Sequence, residues 1–357
     1  MMLAYWLILV FITGASVGSF ANVCIARMPL EKSLLWPGSR CGNCLQPVRW
    51  YDNLPIFSYL FLRGKCRTCK QQFSIVYLLV EISMALSFVG LFWLEVVENV
   101  HAWPGQFPAG VALGAFPWAS FLGCLWHAVL FAFLFVASVC DLKSREIPLS
   151  LTLTGTLVGL IGSAFMPWPW PNVPPAALPL VSPVTLPIGV QPWPFWNDLP
   201  AFCGTGGNVQ TGLITGIVGA LVGTFLLRAV GFVFSSGLGR EALGLGDADL
   251  MMMAGAFVGW QIVVVAFFLS VIPALLFGII QMAVNRDNSL PFGPSLSLSV
   301  MVTLLAWQTI GAYVEPLIFW GDLLFWGVIA IGGMMFILSF MIRLMRGKQT
   351  DEEEDKK

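Results

Sequence analysis

Apolar runs of membrane-crossing length recur from one end of this chain to the other, and that property decides its fold class. A hydrocarbon core about 30 Å thick takes roughly 20 apolar residues of helix. Inside it every backbone N–H and C=O must be paired within the segment or around a closed barrel. Helices meet that demand one at a time, so the expected architecture is an all-α polytopic membrane helix bundle. Spans are expected near 4–26, 76–97, 117–140, 147–166, 209–233, 248–260, 261–284, 295–314 and 322–345, about eight or nine in all. The sixth and seventh share one apolar block, so their division is the least marked. With 57% apolar and 10% charged residues in 357, the balance excludes an ordinary soluble domain.

Lysine and arginine placement sets the expected orientation. The segment 27–75 carries Arg27, Lys32, Arg40, Arg49, Arg63, Lys65, Arg67 and Lys70, whereas 98–116, 167–208 and 315–321 carry no lysine or arginine. Alternating these loops puts the N-terminus outside and the C-terminus in the cytoplasm. The start, Met-Met-Leu-Ala-Tyr-Trp, has no basic residue before its apolar core and reads as an uncleaved first span, 1–26. Four regions follow: that span, a cytoplasmic insertion at 27–75, a multi-span region at 76–345, and a charged cytoplasmic tail at 346–357. An outer loop rich in proline and tryptophan, 167–207, interrupts the multi-span region; its proline density disfavours regular helix.

Two aspartates stand where an apolar helix would exclude them. Asp141 follows the run from Phe116 to Cys140, and Asp247 closes Gly244-Leu-Gly-Asp247 just before the stretch from Leu250. A carboxylate at the mouth of a membrane helix is costly and marks chemistry or an ion path. Both fall on the expected cytoplasmic side. On residues alone, a peptidase pair and a proton or cation path both remain open.

Four cysteines form two knuckles, Cys41-Gly-Asn-Cys44 and Cys66-Arg-Thr-Cys69, in the cytoplasmic insertion. Each knuckle can aim two sulfurs at one point, and the spacing is near that of a four-thiolate zinc ribbon. A structural zinc is the leading expectation; a redox dithiol and a metal-free loop are the alternatives. Arg40, Lys65 and Arg67 flank the knuckles and would favour thiolates. Cys24, Cys124 and Cys140 are expected to be buried apolar residues, and Cys203 lacks any such spacing. His127 is expected to be a hydrogen-bonded packing residue, and His101 a solvated loop residue. Glu81 is either a polar candidate beside the insertion or an acid bonded to a neighbouring span. Asn22, Gly14 and Gly18 are expected to support close packing of the first span.

The order of motifs resembles the type IV prepilin peptidases, the bifunctional leader peptidases and N-methyltransferases of the GxGD aspartic class. The resemblance runs through Gly18-Ser-Phe-Ala-Asn22-Val, Arg27-Met-Pro29, Arg40-Cys-Gly-Asn-Cys44, Trp50-Tyr-Asp-Asn-Leu-Pro55 and Ser58-Tyr-Leu-Phe-Leu-Arg-Gly-Lys-Cys66-Arg-Thr-Cys69. Tyr77, Glu81, Asp141 with Ile147-Pro148, and Glu241 ahead of Gly244-Leu-Gly-Asp247 continue it. Gly255-Ala-Phe-Val-Gly-Trp260 and Leu290-Pro-Phe-Gly-Pro294 complete it, over roughly residues 10–310. One position departs: the family writes a lysine two residues after its second aspartate, and here that residue is Asp249.

The resemblance implies a multi-pass protein of the bacterial plasma (inner) membrane that cuts prepilins or pseudopilins at the cytoplasmic face. Asp141 and Asp247 would be catalytic, with Gly244, Gly246, Asp249 and Glu241 supporting the active site. Cys41, Cys44, Cys66 and Cys69 would hold zinc. It further implies methylation of the new N-terminus with S-adenosylmethionine, an activity associated with 27–75. No G-x-G-x-x-G fingerprint is present to suggest this independently. The bilayer and the prepilin are the expected partners, and no nucleic acid is. Asp249 leaves a second possibility, a homologue that binds prepilins without cutting them, and ion conduction is a third.

Overall fold

The computed structural model describes residues 2–101, 110–114, 116–165, 209–238, 244–285, 291–318 and 322–354. The loop expected at 167–207 and the candidate Glu241 lie outside the described residues. Among those residues the chain is helical: α1 (Met2–Arg27), α2 (Phe57–Phe61), α3 (Ile75–Phe92), α4 (Gly110–Leu113), α5 (Trp118–Ser144), α6 (Leu149–Phe165), α7 (Val209–Leu238), α8 (Leu245–Leu269), α9 (Val271–Asn285), α10 (Gly293–Leu305), α11 (Trp307–Ile318) and α12 (Asp322–Glu354). No strand forms among them; two isolated β-bridges, Arg40 with Pro47 and Lys65 with Gln72, are the extended pairings there.

Five described segments are long and apolar enough to cross a membrane: Met2–Leu30, Ile75–Val97, Trp118–Ser144, Gly212–Gly237 and Leu245–Gln281. Three shorter apolar helices accompany them: Leu149–Phe165, Gly293–Leu305 and Trp326–Met341. The division expected near 260 coincides with a kink, because Gly259 leaves helical geometry inside α8 at φ 74 and ψ 174. The span expected at 295–314 is broken at Ala306, where α10 gives way to α11.

The chain separates into two compact units, Met1–Leu151 and Thr152–Lys357. In the first unit, α1 lies along α3. A β-carbon built on Gly14 would sit 2.8 Å from the Ala85 Cα, and one on Gly18 would sit 2.8 Å from the Glu81 Cα. Two glycines four residues apart therefore let the helix backbones touch, the small-residue packing that membrane helices use in place of a hydrophobic drive. Asn22 donates from Nδ2 to the Tyr77 carbonyl at 3.0 Å and fixes the register of the pair. Ser74 caps α3 by accepting from the Val76 N–H. Cys24, Cys124 and Cys140 are buried.

In the second unit α8 is central. Its buried positions occupy every side, from Ala248 and Met251 through Phe257 to Val265, the pattern of a helix enclosed by others. Helix α7 crosses it at backbone contact: β-carbons built on Gly219 and Gly255 would lie 2.2 Å and 2.1 Å from each other's carbonyl oxygens. Helices α6 and α10 also pack on α8, while α12 covers α7.

Candidate active site and four-cysteine centre

Asp141 lies in the last turn of α5, which ends when Arg145 turns left-handed at φ 60 and its N–H returns to the Asp141 carbonyl at 2.9 Å. The side chain belongs to a buried residue, 7% exposed. A carboxylate in this position is held by the rigid end of a long helix rather than by a loop, which favours a fixed geometry.

Asp247 lies in the first turn of α8, three residues after Gly244, the N-cap. Its Oδ2 would be 3.6 Å from a β-carbon built on Gly244, so the carboxylate folds back over the cap. An acid three residues inside a helix is placed to face the unpaired N–H groups of the first turn, where negative charge is favoured. Gly244 is exposed and extended, with φ −69 and ψ 144. Among the described residues, chain neighbours aside, Asp247 Oδ2 is the one atom within 4 Å of that built β-carbon. Gly246 is half-buried beside it.

Asp249 takes a different direction. Its Oδ1 faces the Arg228 guanidinium of α7 at 3.6 Å, and its side chain is 17% exposed. The acid at the position of the family's lysine is thus matched by an arginine on the adjacent helix. Arg228 carries no motif of its own, and its part emerges only from the α7–α8 crossing.

The four cysteines converge. Their sulfurs lie within 4.8 Å of one another, with Cys41 Sγ to Cys69 Sγ at 3.7 Å and Cys44 Sγ to Cys66 Sγ at 3.9 Å. A tetrahedron with metal–sulfur bonds near 2.3 Å has edges of about 3.8 Å, so this donor set fits a divalent ion. Two copies of one small turn build it. Cys41 and Cys66 each donate to the carbonyl five residues on, Gln46 at 3.0 Å and Gln71 at 2.8 Å. Each also accepts from the residue four on, Leu45 and Lys70, both left-handed at φ 56. Val48 to Ser39 and Phe73 to Gly64 repeat the next bond out. Between the two copies the sequence repeats the cysteines, the glutamine that follows each pair (Gln46, Gln71) and a basic residue before it (Arg40, Lys65).

Four thiols so close cannot share ionisation equally. The Gln71 N–H leads in pulling Cys69 down to about 6. For Cys44, the Gln46 N–H pulls the same way, but burial and three neighbouring sulfurs outweigh it and push it up to about 11. A dication removes that conflict. Arg67 does not face the sulfurs: it grips Asp52 through Nε at 2.9 Å and a terminal nitrogen at 2.5 Å, holding that carboxyl below its ordinary range. The clamp ties the second knuckle to the short 3-10 turn Trp50–Asn53.

Glu81 joins this segment to the membrane helix. Its Oε2 accepts from the Ile56 N–H at 2.7 Å, and its side chain also hydrogen-bonds Ser19 on α1, so it links the insertion's backbone with a neighbouring span. Ile56 is held left-handed at φ 62, directly after Pro55. Between the insertion and the ends of α1 and α3 opens a cavity of about 730 Å³, lined by Asn22, Arg27, Asp52, Tyr59, Tyr77 and Glu81 among others.

Residues 12–94 match the family described as Bacterial Peptidase A24 N-terminal domain, and residues 194–279 match the Type IV leader peptidase family. Over these two segments the chain is similar to the type IV leader peptidase family. A curated relative from Pseudomonas putida, named prepilin leader peptidase/N-methyltransferase, is 28% identical over 85% of this chain and 91% of its own length. Its namesake from Pectobacterium carotovorum subsp. carotovorum is 29% identical over 83% of this chain and 91% of its own. The Myxococcus xanthus (strain DK1622) protein of that name is 30% identical over 71% and 56%. No solved structure matches. Asp247 falls inside the second family match and the cysteines inside the first, whereas Asp141 lies between the two.

Proposed function

We propose that this protein is an aspartic endopeptidase that removes the leader of type IV prepilins or pseudopilins and then methylates the new N-terminus. The family and the names of its relatives support both activities, and the observation that carries the peptidase reading is Asp247, held in the first turn of α8 beside an open Gly244. The family decides between the two readings that the aspartates leave open, in favour of peptide hydrolysis. The pairing of Asp249 with Arg228 supports a packing role for that acid.

Asp141 and Asp247 act as a pair. One carboxylate takes a proton from water as the water oxygen attacks the scissile carbonyl, and the other gives its proton to the departing amine. Such a pair titrates as a unit, so acid and base are not assigned to one residue each. Each is set on a helix terminus, so the short basic leader can be cut where it meets the membrane. The protein sits in the bacterial inner membrane with its N-terminus outside, its C-terminus inside, and both aspartates toward the cytoplasm.

Cys41, Cys44, Cys66 and Cys69 hold a structural zinc. It supplies the cross-link between two knuckles that share almost no apolar core. The cavity of about 730 Å³ beside them is of small-molecule size. S-adenosylmethionine supplies an electrophilic methyl group when bound there. Glu81, in that lining, would suit a cationic part of the donor. With the donor bound, the lining side chains would orient the incoming amine, which would take the methyl group as the carbon–sulfur bond breaks, release S-adenosylhomocysteine, and lose its proton to solvent.

The test is mass spectrometry of a prepilin peptide incubated with the full protein in detergent. The expected products are the free leader and, only with S-adenosylmethionine present, a mature segment heavier by one methyl group. An intact peptide after prolonged incubation contradicts the peptidase reading; cleavage without the mass increase contradicts the methylation.

A further inference from the structure

The chain has only two histidines, and the fold brings both to one buried carboxylate. Glu95, His101 and His127 are 1%, 5% and 5% exposed. This overturns the sequence expectation of a solvated His101. The reason is local: α3 continues into a wider turn, Trp93–Val97, which turns Glu95 inward, and Asn99 then reverses the chain at φ 51. Wide turns of this kind are frequent at functional sites. From the opposite side, α5 delivers His127.

The distances describe a coordination triangle. His127 Nδ1 lies 2.9 Å from both Glu95 oxygens, and His101 Nε2 lies 3.5 Å from Oε1. One donor atom from each of the three residues falls within 4.8 Å of the others. A hydrogen-bonded ion pair accounts for the His127 contact. The His101 contact is an ion pair with a longer separation than the 2.7–3.2 Å usual for N–H···O bonds. That separation equals the donor-to-donor edge of about 3.3–3.5 Å expected around an ion with nitrogen and oxygen ligands near 2.1 Å. The rings stand 5.5 Å apart and roughly perpendicular, leaving their nitrogens directed inward rather than stacked.

We propose that Glu95, His101 and His127 form a second metal site, taking a divalent first-row transition-metal ion and zinc foremost. Two imidazoles and one carboxylate are a ligand set such ions accept, with a further coordination position left over. The ion clamps the end of α3 and the 98–101 turn to α5 and compensates the buried carboxylate without protonating either ring. The site is separate from the four-cysteine centre. Glu95 lies 20 residues beyond Ile75, where α3 leaves the cysteine segment, so about 30 Å of helix divides them. His127 lies 14 residues, about 21 Å, before Asp141 on α5.

The test is zinc content and zinc-edge X-ray absorption on the full-length protein, equilibrated with zinc in detergent and freed of excess. Two zinc ions per chain are expected, with first-shell scattering divided between sulfur near 2.3 Å and nitrogen or oxygen near 2.0–2.1 Å. In Glu95→Gln one ion is lost and the remaining signal is sulfur alone; His101→Asn does the same. A wild-type protein holding one ion with four sulfurs overturns the proposal. So do two ions that survive both substitutions. The wild-type spectrum decides even where a variant does not fold. A single ion with no sulfur neighbours would defeat the cysteine centre and leave this site standing.

Discussion

Replacing Gly255 by alanine tests how the second unit holds Asp247. The added carbon would lie 2.1 Å from the Gly219 oxygen and 2.4 Å from its carbonyl carbon. Carbon–oxygen contacts settle no closer than about 3.3 Å, so the α7 and α8 backbones must part by about 1 Å. Nothing flexible can yield, because the opposing atoms are main chain. Overpacking of this kind costs about 1–3 kcal/mol. Asp247 lies eight residues, about 12 Å, earlier on the same helix, and a displacement of about 1 Å at a catalytic group lowers rate by about 10²-fold. Gly333→Ala is the control, since among the described residues no atom lies within 4 Å of its added carbon. The assays are thermal unfolding in detergent and single-turnover cleavage of a prepilin peptide. Gly255→Ala should lose several degrees and about 10²-fold in rate while Gly333→Ala matches the parent. Equal behaviour of the two variants would refute the reasoning.

Three further outcomes are expected. Asp249→Lys, which restores the family's residue, places a cation against Arg228 and should cost about 1 kcal/mol of stability; adding Arg228→Glu should recover it, and an undiminished melting temperature in the single variant contradicts the pairing. Glu81→Gln removes the charge from the bond to the Ile56 N–H, worth about 1 kcal/mol. Amide exchange at Ile56 should then quicken about fivefold or more, and methyl transfer should fall further than cleavage; unchanged exchange argues against the tether. A strong zinc chelator should sharply raise proteolysis and amide exchange across 39–73, and protection there that persists after the zinc is removed would mean the knuckles need no metal.

What the sequence discloses here is what local spacing encodes. The cysteine knuckles are readable because each ligand pair sits within one turn, and their separation leaves few partners to consider. The five long apolar segments are readable because bilayer thickness fixes helix length. Asp141 and Asp247 stand out for the cost of a carboxylate beside such segments. The remainder depends on contacts between helices that no periodicity records. Arg228 meets Asp249 across 21 positions, and Glu95 meets His127 across 32. His101 looks like loop solvent exposure until the wide turn at Trp93–Val97 buries it. The Gly255-Ala-Phe-Val-Gly-Trp260 run marks a motif, but its physical cause, backbone contact with Gly219 and a kink at Gly259, appears only in three dimensions.

The central claim is that Asp141 and Asp247 together cut the leader, and the most direct measurement is cleavage of a prepilin peptide by Asp141→Asn and Asp247→Asn. Each isosteric change keeps size and removes the acid, so each should abolish cleavage on its own, while zinc content and thermal unfolding stay those of the parent. Cleavage that survives either substitution at near-parental rate would contradict the claim.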